Sequence, residues 1–226
     1  MKLNADFDQR AVVHADRMAW VASPVAGVSR RMLDRIGGEV ARATSIVRYD
    51  PGSRFSPHVH NGGEEFIVLE GTFQDEHGDF PPGTYVRNPP QSRHTPASKP
   101  GCVIFVKLWQ FDLADRQHVH IDTNALELAP DPGRPGIHAL ELFEDRRETV
   151  KLESWIPGSE ITLAHDGGTE LLVLEGSFEA AGENFRTHSW LRLPRGERLP
   201  ARSGSAGARV WVKTGHLRYV EAPRVT

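Results

Sequence analysis

Apolar residues along the chain gather in short runs broken by glycine, proline and asparagine. Examples are Ala43-Thr-Ser-Ile-Val-Arg-Tyr49, Glu65-Phe-Ile-Val-Leu69 and Cys102-Val-Ile-Phe-Val-Lys-Leu-Trp109. β-Branched and aromatic residues dominate these runs, as suits a pleated, half-buried surface. No long stretch places apolar residues at i, i+3, i+4 and i+7, and only Val25 to Ile36 has a pattern open to either a helical turn or a strand. The pattern predicts an all-β protein made of many short strands.

The runs repeat. Glu65–Phe73 and Glu170–Phe178 share six of nine residues at an offset of 105. The likeness extends outward to YDPGS at Tyr49 against WIPGS at Trp155, to Tyr85-Val-Arg-Asn-Pro89 against Trp190-Leu-Arg-Leu-Pro194, and to Val106-Lys107 against Val212-Lys213. An offset held at 105 or 106 through turns as well as strands means two copies of one fold unit. The expected boundary falls in LADRQHVHIDTNA, which gives domains 1–115 and 116–226.

Candidate chemistry concentrates in the first copy, in the stretch HVHNGGEEF. On a strand His58 and His60 project from the same face, and Asn61-Gly62-Gly63 supplies residues that tolerate a turn able to return Glu64 to the histidine pair. His94, in NPPQSRHTP, is the fourth candidate. Three imidazoles and a carboxylate suit zinc, iron, nickel, copper or manganese and do not suit calcium or magnesium. The offset converts the four positions to Leu163, His165, Thr169 and Leu199, so the second copy is expected to be metal-free.

Other chemistry-bearing residues have plainer readings. His118-Val-His120 has no carboxylate four residues on, Asp75-Glu76-His77 reads as a solvated hairpin tip, and Glu65 and Glu170 should face away from the site. Arg87 and Arg192 call for internal carboxylate partners. The aromatic residues Phe55, Phe66, Tyr85, Phe105 and Trp109 read as core.

With 27 Lys+Arg against 30 Asp+Glu the net charge is −3, which offers no basic field to nucleic acid or anionic lipid. The single cysteine, Cys102, excludes an internal disulfide and a thiolate zinc cluster, and it reads as a small core residue. No secretory h-region and no run of about 18 apolar residues is present, so the expected location is the cytoplasm.

The spacing Gly52-x5-His58-x-His60-x3-Glu64-x6-Gly71 resembles the first motif of the cupin superfamily at every defined position. Pro82-Gly83 with His94 resembles the second motif, although His94 stands eleven residues after Gly83 rather than three. More narrowly, HxHxGGEEFxVLEGxF, PPGTYVRNPPxSxH and SxxGCxIFVK resemble the ChrR-like cupins from about Arg42 to Gln110, with a weaker echo in the second copy. The resemblance implies a bicupin: two tandem double-stranded β-helix, or jelly-roll, barrels. It implies one divalent metal held by His58, His60, Glu64 and His94, with zinc expected and iron, nickel and manganese as alternatives. It further implies a sensory or transcription-regulatory role related to anti-sigma factors, without their helical sigma-binding domain. The alternative is a metal-dependent dioxygenase cleaving diketone-like or hydroxyacetophenone-like substrates. Expected partners are a small molecule in the first barrel, a sigma factor or regulatory protein, and a second copy in a homodimer.

Overall fold

The computed structural model describes residues 1–38 and 40–223. Two short 3-10 turns, Ala15–Arg17 and His216–Tyr219, are the only helical pieces among them. The rest is strand and turn, as the apolar pattern predicts. Val25 to Ile36 resolves to strand, Val28–Gly37, with a bulge between Met32 and Asp34.

Contacts divide the chain into two units. The first consists mainly of Met1–Ala5 and Ala19–Ala125, and the second of Asp6–Met18 and Leu126–Val220. The division therefore differs from sequence order at two places, residues 6–18 and 116–125, and backbone pairing is the reason. Ala11–His14 bonds antiparallel to Ser189–Leu193, and Val119–Asp122 bonds antiparallel to Thr84–Asn88. Thr84–Asn88 and Ser189–Leu193 are the same strand in the two copies, and each has an edge whose N–H and C=O groups need partners. The short strand ahead of each copy thus completes the other one.

In the first unit the large sheet runs Lys2–Leu3, Val28–Gly37, Ala41–Tyr49, Cys102–Leu108, Glu64–Gly71, Thr84–Asn88 and Val119–Asp122. Val21–Ala22 also pairs with Val28–Gly37, and a four-stranded sheet and the ladder of His58–His60 with Ser92–His94 make up the remainder of this jelly roll. Val47, Phe66, Phe73, Phe80 and Ile104 fill the space between. In the second unit Thr169–Ala180 and Arg198–Thr214 are long strands pairing with each other and with shorter strands around Trp155, Leu163 and Leu193. No helix among the described residues is long and apolar enough to cross a membrane.

A buried polar cluster recurs in both copies. The Tyr85 hydroxyl donates to Glu65 at 2.6 Å, and Arg87 lies 3.7 Å from Glu65 and 3.2 Å from Asp115 while covering the Phe111 ring. In the second unit Trp190 Nε1 donates to Glu170 at 2.8 Å, while Arg192 donates to the Asp6 carbonyl and covers Phe7. Both Phe-Asp pairs, Phe7-Asp8 and Phe111-Asp112, thus begin the segments that lead into the exchanged strands. These bonds satisfy groups that would otherwise be costly to bury. They make Glu65, Arg87, Glu170 and Arg192 parts of the framework.

Candidate metal centre

The site begins with a turn. The Gly63 N–H donates to the His60 carbonyl, and Gly63 has φ +76. A Cβ on Gly63 would stand 2.4 Å from the Phe111 ring, and one on Gly62 would stand 2.1 Å from Trp109, so both glycines answer to sterics as well as to the turn. The chain turns over them out of the His58–His60 ladder and enters Glu64–Gly71, a strand of the large sheet.

His94 arrives by register. In the ladder of His58–His60 with Ser92–His94, His94 is the direct partner of His58. Directly paired residues share a face and lie about 5 Å apart at Cβ, so the long separation from Gly83 does no harm to convergence.

Three ring nitrogens, one each from His58, His60 and His94, lie within 4.8 Å of one another. The ring centroids are 4.8, 5.2 and 4.8 Å apart and the planes cross at 69 to 74°, a three-bladed arrangement about one point. Nε2 of His60 and of His94 are 2.9 Å apart. Two ligands bonded at about 2.0–2.1 Å to a tetrahedral ion lie slightly farther apart than this, about 3.3 Å. Glu64 Oε2 stands 3.5 Å from both Nε2 atoms and accepts a bond from Asn88 Nδ2 at 3.2 Å. The structure therefore brings together all four residues that the sequence singles out.

Outer contacts orient the rings. His94 Nδ1 lies 3.1 Å from the Asp75 carboxylate, and His58 Nδ1 lies 3.1 Å from the Ser56 carbonyl. A carboxylate and a carbonyl can only accept, so each of these Nδ1 atoms carries a proton, and in the neutral ring the Nε2 lone pair is left available to an ion. Neutral imidazoles with lone pairs converging on one point fit a borderline transition-metal ion. The His58, His60 and His94 group can thus hold a metal ion.

Electrostatics grade the groups. Burial disfavours charge on His94, but the Asp75 hydrogen bond and the Glu64 and Asp75 charges outweigh it and raise its pKa. At His60 burial wins over the Glu64 charge and lowers the pKa, with His94 and His58 pushing the same way. Burial opposes ionisation of Asp75, yet the bonds from His94 and from the His77 N–H hold its pKa below the ordinary value. Burial, then the Glu64 charge, pushes the Tyr49 phenol up, so it stays a neutral donor.

Asp75 is the residue that sequence reading places wrongly, at a solvated tip. The tip exists, in the hairpin of Phe73–Asp75 with Gly78–Phe80. The strand period already turns Asp75 to the same side as buried Phe73, and that is the signal that could have found it. His120 packs on Phe80 at 4.9 Å, and neither it nor His118 joins a metal-binding cluster among the described residues. Phe66, Tyr85 and Phe105 are buried, whereas Phe55 and Trp109 line a cavity of about 730 Å³ together with His58, His60 and Glu64. His58 is exposed while His60 and His94 are buried, so the centre is reached from the His58 side.

Comparison with known proteins bears on the class through the fold: the solved structures resembling this chain include a cupin 2 conserved barrel domain protein. A "putative dioxygenase" from Nostoc punctiforme matches at 16% identity with a TM-score of 0.76, covering 97% of this chain and 87% of its own. Protein YlbA from Escherichia coli matches at 17% and 0.70, covering 96% and 94%. The pirin YhhW from Escherichia coli, solved with nickel(II), matches at 11% and 0.65, covering 91% and 98%. At such identities the likeness establishes the fold. More particularly, residues 8–112 match the family model of the ChrR cupin-like domain, so the family read from the motifs holds for that stretch. No curated protein sequence matches the chain.

Proposed function

We propose that the first unit is a metal-dependent site for a small organic molecule, and that its reaction class is oxygen-dependent cleavage by a cupin dioxygenase. The observation that carries this reading is the placement of His58, His60 and Glu64 in the wall of a 730 Å³ cavity. That volume accommodates a small ligand, and the lining is mostly apolar, as ligand sites are. Glu64 joins the three imidazoles as fourth ligand, leaving sites on the ion for a substrate that approaches past His58. A bound ion supplies Lewis acidity and, where it is iron, a route to dioxygen. The name of the Nostoc neighbour supports the class and no particular substrate.

The match to the ChrR cupin-like domain favours a second reading, in which a zinc-bearing module senses a ligand and acts through a regulatory protein such as a sigma factor. Sensing through a thiol has little support, because burial pushes the Cys102 thiol up to about 11 and keeps it protonated. One experiment separates the readings: elemental analysis of protein purified without added metal, followed by oxygen uptake with a panel of β-diketones and of keto acids. Iron with substrate-dependent uptake supports the dioxygenase. Zinc without uptake, from the iron-supplemented protein as well, sinks it in favour of the sensor.

A further inference from the structure

The cavity beside the metal centre carries a cationic wall that nothing in the metal chemistry uses. Arg30 lies on Val28–Gly37, two residues after Val28 and opposite Val47 in the register. Val47 belongs to the first-unit core and Val28 packs against it, so this face of the strand turns inward. Arg30 projects from that face into the cavity. Its Nε is cut off from solvent and has no hydrogen-bond partner. A buried donor left unsatisfied is costly, more so when charged, and an arriving acceptor would remove that cost.

Arg35 and Arg54 line the same cavity, and Glu64 is the only carboxylate among its described lining residues. Since Glu64 faces the imidazoles, the rest of the wall is net positive. Apolar surface completes it: Val25, Val40 and Val59 are exposed at its rim, and Phe55, Leu108 and Trp109 lie further along the wall. Guanidinium is matched in shape by a planar carboxylate, which accepts two parallel bonds from it.

We propose that the cavity binds an organic carboxylate with an apolar body, its acid group received by Arg30 and its other polar end directed to the histidine centre. The inference rests on the cavity being a ligand site, as proposed above, and adds the charge and shape of the ligand. A neutral diketone would leave Arg30 Nε without an acceptor of matching charge. Tyr49, lining the same space, offers a neutral hydroxyl donor to a carbonyl next to the acid.

The test is calorimetric titration of the metal-loaded full chain with phenylpyruvate and with phenylacetone, which puts a methyl group where phenylpyruvate has its carboxylate. We expect phenylpyruvate to bind at least about tenfold more tightly, the value of one charge-assisted contact. Arg30→Gln should erase that preference and leave phenylacetone unchanged, while Arg30→Lys should keep part of it. Thermal melting of both variants guards against misfolding, and Arg54→Gln at the exposed rim should cost less than Arg30→Gln. Equal binding of the two probes, no phenylpyruvate binding up to about 10 mM, or a preference that survives Arg30→Gln would overturn the proposal. Metal content is read separately, and the titration is repeated on His94→Ala. If the carboxylate preference persists without metal, Arg30 is an anion site whatever the centre does; if metal binds but the preference is absent, the anion proposal alone fails.

Discussion

The two units hold the same strands in the same register and spend their interiors differently. His58 pairs with His94 in the first, and Leu163 pairs with Leu199 at the equivalent rungs of the second. Supporting residues change in step: Asp75, which holds His94, has Ala180 as its counterpart, and Asn88, which holds Glu64, has Leu193. Leu163, Ala180, Leu193 and Leu199 all belong to the second-unit core. His165, at the His60 position, accepts the Gly167 N–H on its Nδ1 and serves a turn. Turns and alternation therefore set the frame, and a handful of inward positions decide whether its interior is a site or a core.

The largest effect should come from forcing the second unit to imitate the first. Leu163→His with Leu199→His removes two buried aliphatic side chains and buries two imidazoles without the carboxylate that steadies His94. Each change should cost about 3 kcal/mol or more, visible as an early transition in denaturant unfolding. The reverse imitation, His58→Leu with His94→Leu and Asp75→Ala, replaces polar groups by apolar ones and should change stability in chelator by about 1 kcal/mol or less. Equal losses in the two variants would break the comparison.

Next in size is the loss of the ion itself. His94→Ala should bring metal content after dialysis from about one per chain to none, since loss of a ligand exceeds the roughly 10–100-fold cost of losing an outer partner. Wild type with metal at about 100 times its Kd should also melt higher, by the equivalent of about 2.7 kcal/mol, and the variant should not. Unchanged metal content and melting temperature would remove the centre from the account. Asp75→Asn keeps the shape but loses the charge that holds the His94 Nδ1 proton. It should weaken metal binding by about 10–100-fold, measured by chelator competition, with Ala180→Asp in the second unit gaining no metal.

Much of this was legible in the sequence because it is local. The repeat, the glycine turn after His60 and the i, i+2 pair of His58 and His60 depend on neighbours along the chain. His94 was legible through its motif, while its convergence on His58 is a property of register, which spacing alone does not reveal. The exchanged strands were hidden because Ala11–His14 and Val119–Asp122 are four residues each, too short to advertise a partner. Arg30 was passed over since a bulged strand of mixed polarity does not announce which face is inward.

The smallest effect is expected at a position where the two units already agree. Cys102 is matched by Ala208, and both are buried, at 4% and 6% exposure. Burial, opposed only in part by the Ser98 hydroxyl, raises the thiol to about 11. At pH 8 about one molecule in a thousand then carries the reactive thiolate. A disulfide reagent should label native protein slowly and denatured protein at once. The folded state holds the thiol proton more firmly than the unfolded state, so this group's contribution is complete below pH 9 and is lost as pH rises from about 9 through about 11. Cys102→Ala copies the second unit, so it should abolish that alkaline decline at a cost of about 1 kcal/mol and leave metal content as it was. Rapid labelling of the native thiol would instead place Cys102 in an exposed, charge-stabilising environment, and would return a thiol-based sensor to contention for the first unit.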